Sequence, residues 1–428
     1  MARSRSTSAI AARSQPEPGC CPAALALLLW AAVAPARADE GVHGRFAVQD
    51  ALEFARADSL GAQLGGQQSN NVLANLRITW EPVWARWSLT VHYLVTFQHG
   101  TDVLVARDEA GLLGKPPPAW LTLGNTFIDR GESQALQGLD RLAVGYSAPD
   151  FVIRLGRQAL TWGSGVVFRP MDLFDPFAPN ATDTEYKPGT DMLYTQFLFG
   201  DGSDLQLVAV PRPAQPDGAP SADASSFALH WHTLLLGHAT TWMLARDYGD
   251  WVGAVGINGA LRGATWNLEV VPTVERQGPT RFSALANISN AVTLWQRSAT
   301  VFAEYFRNGF GIAGGQYDLA SLPSDLTRRL ARGQLFETRR DYLAAGLTVQ
   351  ASPLLNVSPQ LIAGLDDGSC YALASATYSL SDNLDLIAGA QAPLGRSRTE
   401  FGGVLLAPGS RMVLAPPGTL YAQIRRYF

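Results

Sequence analysis

The chain has 428 residues, with 33 Lys+Arg against 37 Asp+Glu, 16% charged residues and a mean hydropathy of +0.02. Charge lies below the roughly 25% of soluble domains, and the mildly acidic balance speaks against nucleic acid, which favours a basic patch or stripe. No 18-residue apolar run follows residue 38, which excludes helical membrane spans of roughly 20 residues, although alternating strands can hide a membrane protein at this hydropathy.

Arg3, Arg5 and Arg13 precede an apolar run from Pro22 to Val33, and Ala36, Arg37 and Ala38 form a small-residue cleavage site before Asp39. The expectation is an exported protein, with a signal peptide over 1–38 and one domain over 39–428. The apolar run is too short for an anchor, and Cys20 and Cys21 precede it, whereas a lipidated cysteine would follow it. Cleavage removes four Arg and one Glu, leaving 29 Lys+Arg and 36 Asp+Glu, a net charge of −7. It also leaves Cys370 as the only cysteine, so no disulfide framework or cysteine metal site is expected.

Strands are predicted near 45–57, 71–81, 87–99, 138–147, 151–162, 190–199, 203–210, 226–236, 239–247, 251–259, 264–273, 281–289, 299–307, 340–350, 357–365, 370–379, 384–392 and 419–428. That is about 18, with 16 to 18 as the working range. The clearest is 87–99, where Trp87, Leu89, Val91, Tyr93, Val95 and Phe97 alternate with Ser88, Thr90, His92, Leu94, Thr96 and Gln98. Its length, and that of 71–81, matches the roughly 9 to 11 residues of a tilted transmembrane strand better than the 5 to 6 of a soluble sheet. Trp80, Trp84 and Trp87 surround the turn between these two strands, as an interfacial aromatic girdle does. Strand one begins shortly after the expected cleavage site, leaving no room for the plug domain of an energised transporter.

Loop length provides an internal test. The six longest connections, 58–70, 100–137, 163–189, 211–225, 308–339 and 393–418, all fall at one end. The opposite end has short ones, including Ala148-Pro149-Asp150, Gly200-Asp201-Gly202 and Ser381-Asp382-Asn383. Long outer loops and short inner turns on an even number of strands are the organisation of an antiparallel up-and-down transmembrane β-barrel.

In the last strand, Leu420, Ala422, Ile424 and Phe428 share one face and Thr419, Gln423 and Arg425 the other, with Arg426 out of pattern near the inner rim. A closing strand ending on Phe resembles the last strand of Gram-negative outer-membrane barrels. Gly156, Arg157, Gln158, Trp162 and Gly163 match the G-R-Q-x-x-x-W-G stretch of several porin-type barrel families. This resemblance implies outer-membrane location, with membrane lipids and the barrel assembly machinery as partners, and leaves the oligomeric state open between monomer and homo-oligomer. No cofactor and no metal are expected.

The segment after Trp162 is rich in Phe, Asp and Pro and is expected either to fold into the lumen or to rest on the rim. In the inward case Phe168, Leu173, Phe174 and Phe177 wedge it against the wall while Arg169, Asp172, Asp175 and Asp183 line a constriction. Arg154 and Gln158 share the wet face of their strand, whereas Arg157 falls on the lipid parity, through snorkelling or a bulge. Asn75, Arg77, Thr79, Glu81, Thr90, His92, Gln98, Arg246, Asn267 and Glu269 are also assigned inward. His230 and His232 share a face without a third metal ligand.

The leading expectation is a channel for passive passage of small solutes or secreted chains, gated by the 163–189 loop. The alternative is a non-conducting structural, adhesion or assembly barrel. An outer-membrane lipase or protease stands third, with only His99, Asp247 and Asp250 near the outer rim to support it, and no catalytic residues are assigned.

Overall fold

A computed structural model describes residues 41–216 and 218–428; the expected signal peptide lies outside the described residues. Twenty strands form one antiparallel sheet. Two are short additions, Val83–Trp84 and Gly124–Arg130, and the other 18 run round a closed barrel. These are β1 (Val42–Phe54), β2 (Gln68–Trp80), β3 (Trp87–His99), β4 (Ser133–Ser147), β5 (Phe151–Gln158), β6 (Thr190–Leu198), β7 (Asp204–Val210), β8 (Ser226–Leu235) and β9 (His238–Asp247). There follow β10 (Asp250–Leu261), β11 (Ala264–Val274), β12 (Thr280–Leu294), β13 (Arg297–Arg307), β14 (Asp341–Ser352), β15 (Leu355–Gly364), β16 (Cys370–Ser381), β17 (Leu384–Leu394) and β18 (Gly418–Tyr427). β18 pairs with β1 from Arg45 opposite Tyr427 to Phe54 opposite Gly418, so the ring of 18 strands closes on itself. No helix among the described residues is long and apolar enough to cross a membrane.

The period of two sorts the side chains. On β9, Trp242 and Leu244 are exposed while Met243 and Ala245 are buried; on β11, Leu268 and Val270 are exposed while Glu269 and Val271 are buried. Exposed apolar side chains outside and buried Glu, Asn and Arg inside invert the order of a soluble protein. Arg426 pairs with Leu384, the first residue of β17, which places it at the rim that carries the short turns. A bulge where His92 pairs with Arg141 but Tyr93 with Leu139 lets both Asp140 and Arg141 reach the interior. Arg246 is a correction to the inward assignments. Met243, Ala245 and Asp247 are buried while Trp242 and Leu244 are exposed, so Arg246 shares the outward parity of Trp242 and Leu244 and pairs with Asp223 at the rim.

The outer loops carry structure that strand periodicity does not reveal. They hold helices α1 (Leu60–Gly65), α2 (Thr101–Leu113) and α3 (Ser324–Ala331). Phe310, Tyr317, Leu319, Leu322 and Leu326 of the β13–β14 loop pack with Val404 and Leu414 of the β17–β18 loop and with Leu113 of α2. This is a small apolar core of its own, a cap built from loops.

Candidate functional site: the inward β5–β6 loop

β5 ends at Gln158, four residues short of the expected 162, because Trp162 turns into the barrel. Its Nε1 donates to Gln206 Oε1 at 2.8 Å, and its ring stacks on His230 at 4.8 Å and meets Phe174 edge-on at 5.5 Å. The turn needs small residues. Gly163 sits at φ +91°, and a Cβ on Gly165 would lie 1.6 Å from the Phe168 carbonyl oxygen.

The first half of the loop is docked by shape and by backbone bonds. Trp162, Met171 and Phe174 pack against Met192, Tyr194, Val208, Met243 and Val252 of the wall. Phe168 stacks on Phe306 at 4.7 Å and lies 5.6 Å from Tyr342. Glu304 is fully buried; its Oε1 accepts the N–H groups of Val167 (2.9 Å) and Phe168 (2.8 Å), and its Oε2 accepts that of Val166 (2.6 Å). Asn287 Nδ2 donates to Glu304 Oε2 at 3.0 Å and to the Ser164 carbonyl at 2.9 Å, and Glu269 accepts the Ser164 N–H. Each such bond to a charged group contributes on the order of 1.5 to 3 kcal/mol, and an uncompensated carboxylate could not stay buried here.

The second half is held by polar groups. Gln391 Nε2 donates to the Asn180 carbonyl at 3.1 Å, and Thr182 Oγ1 donates to Gln49 Oε1 at 3.3 Å. Arg45 pairs with Asp183 at 2.7 Å and with Glu185 at 2.8 Å, while Arg425 lies 3.2 Å from Glu185 and 3.6 Å from Asp183. Burial works against the Asp183 carboxylate, but Arg45 outweighs it and holds the pKa below its usual value. Tyr427 OH donates to Glu185 at 2.8 Å. Tyr186 lies between the guanidinium groups of Arg45 (5.0 Å) and Arg77 (4.4 Å), a double cation–π contact. Arg141 donates to the Lys187 carbonyl. The loop therefore crosses the lumen and is fastened on opposite sides of the wall.

The residues predicted as pore candidates divide into groups. Phe168 and Phe174 are buried in apolar clusters of the inner wall. Arg169 stacks over Phe177 at 5.5 Å, and Asp175 is exposed and accepts from Thr190 Oγ1. Asp172 does not line an opening in this conformation. It is buried, 2.6 Å from Lys187 Nζ, and burial pushes its pKa up to about 6 while also lowering that of Lys187. Arg154 faces the lumen over Tyr194 at 5.7 Å, and Gln158 is buried with its Nε2 donating to the Met192 carbonyl at 3.3 Å. Arg157 faces outward without a bulge, in an ion pair with Asp191 at 2.8 Å that Leu121 covers: Leu121 N–H donates to Asp191 at 2.8 Å. His99 bonds Ser133, Asp250 pairs with Arg329 of the cap at 2.7 Å, and Asp247 accepts from Ser226 and Gln334. Arg45, Glu304, Glu185, Tyr186 and Lys187 are absent from the sequence-based site. The inward parity of β1 is the one signal that points to Arg45.

A cavity of about 420 Å³ remains between this loop and the cap, lined by Phe168, Asn180, Glu337, Tyr371, Glu400 and Phe401. A second, of about 340 Å³, lies against β1, β2 and β3.

No family model matches the sequence, and no curated protein matches it. Among solved structures the chain is similar to Wzi, an outer-membrane protein involved in group 1 capsule assembly in Escherichia coli and a carbohydrate-binding β-barrel. The TM-score is 0.51 at 8% identity, covering 89% of this chain and 83% of that one. It is also similar to OccAB2 of Acinetobacter baumannii, with a TM-score of 0.49 at 9% identity over 91% and 98% of the two chains. OprB of Pseudomonas putida gives 0.44 at 8% identity over 91% and 93%. At these identities the likeness is one of fold.

Proposed function

We propose that the protein is an outer-membrane channel for small solutes, held shut at rest by its β5–β6 loop. Eighteen strands is the size at which a barrel encloses an aqueous channel. The exposed apolar belt suits membrane lipid as its solvent, and its assembly there would use the cell's barrel assembly machinery. The observation that carries the reading is the unequal fastening of the loop. Residues 162–177 are docked by apolar packing and by Glu304, whereas 180–187 are held by ion pairs and hydrogen bonds. An interface of the second kind exchanges partners with solutes more readily than a packed one, so the passage opens along the arginine side.

The second reading is a barrel that does not conduct, as a structural or assembly component. The loop cap with its own apolar core favours it, and Wzi, an outer-membrane protein involved in capsule assembly, is a barrel of similar fold. Planar bilayers decide between them. The channel reading expects the intact protein to be mostly silent with brief steps, and a variant lacking 168–180 to fold as a heat-modifiable barrel with larger, stable conductance. A folded deletion variant that stays silent would favour the non-conducting barrel.

A further inference from the structure

On the arginine side of the lumen the acceptors are supplied by the protein's own loop. Asp183 and Glu185 bring two carboxylates to Arg45 and Arg425, and Tyr186 brings a flat ring between Arg45 and Arg77. The segment thus presents two acids and an aromatic group to one wall. That wall is not satisfied by it. The Nε atoms of Arg45, Arg77 and Arg425 are buried without a hydrogen-bond acceptor. Arg45 and Arg77 are themselves more than nine-tenths buried. Three unmet guanidinium N–H groups on one wall point to a ligand richer in oxygen acceptors than Asp183 and Glu185 alone, since guanidinium forks match carboxylates in paired geometry.

We propose that segment 183–186 is an internal stand-in for a small aromatic dicarboxylate, which displaces it from Arg45, Arg77 and Arg425. The two carboxylates of the solute replace Asp183 and Glu185, and its ring replaces Tyr186 against the guanidinium groups of Arg45 and Arg77. The site stands on this geometry; its role as the opening step rests on the channel reading.

The test is calorimetric titration of isophthalate into the full-length, detergent-solubilised protein, with succinate and benzyl alcohol as probes that each lack one half of the pattern. In the wild type the loop competes, so the Asp183→Asn, Glu185→Gln double variant should bind isophthalate about tenfold tighter, as expected when an occupied site is freed. Arg425→Gln should abolish binding; Arg45→Gln is the second variant if that one fails to give a heat-modifiable barrel. A folded double variant that does not bind isophthalate, or binds it more weakly than wild type, overturns the proposal. Equal affinity for succinate overturns the aromatic half. Tight isophthalate binding with no rise in bilayer conductance keeps the site and sinks the channel reading.

Discussion

At the scale of single residues, the two faces of a strand differ in what they tolerate. Val91 pairs with Trp80 and Leu142 on the outward parity, and Thr90 pairs with the buried Ala143 on the inward one. Val91→Arg places a cation on the apolar belt at a cost of roughly 2 to 4 kcal/mol near a bilayer midplane, and should reduce the folded, heat-modifiable fraction. Thr90→Arg should leave that fraction unchanged; equal effects would show the facing to be reversed. Parity was legible wherever one face was oily and the other wet. It failed at Arg246 because β9 is apolar on both faces: Trp242 and Leu244 face out, while Met243 and Ala245 face in to receive Trp162. The inner wall there is apolar because a loop docks on it, and a single strand's sequence does not reveal its docking partner.

At the scale of elements, the Phe, Asp and Pro after Trp162 announced a packed segment, and Phe168 and Phe174 are buried in it. The acids were not, since their partners are remote: Asp183 meets Arg45 across 138 positions of sequence and Glu304 caps Val166 across another 138. The cap has its own pH response. Glu337, buried in the β13–β14 loop, has its pKa raised to about 8, by burial first and then by Glu400 nearby. A carboxyl raised above its ordinary value of 4.5 stabilises the closed cap fully below that value, and the contribution is lost as pH climbs through about 8. Amide exchange in 308–339 should therefore quicken between about pH 5 and pH 8, and Glu337→Gln should flatten that dependence. A profile as steep in the variant as in the wild type would assign the change to another group.

At the scale of the whole molecule, strand number and the sorting of loops by length were both legible, because alternation and turn residues are local signals repeated along the chain. The helices of the loops were not, being short and stabilised by packing that only the closed barrel provides. The sorting predicts opposite accessibility of the two ends. A protease-cleavable tag within 100–137 or 308–339 should be cut on intact cells, and one at Asp201, in the short turn between β6 and β7, should be protected. Cleavage at Asp201 would invert the orientation.

Closure by β18 on β1 also has a mechanical side. Adjacent strands elsewhere are joined through their own connection, often a turn of two residues such as Leu236-Gly237, so a separated pair stays close enough to re-form. β1 and β18 have no such tether between them. Their ladder is the one joint of the ring that can part while leaving every hairpin intact, and it is held by ten paired residues from Gly418 to Tyr427. Phe428 extends it by exchanging both backbone bonds with Gly44, at 2.8 and 3.0 Å. The terminal aromatic thus acts as a clasp on the seam, and trimming it would lower the work needed to unzip the wall sideways while leaving the lumen's contents in place.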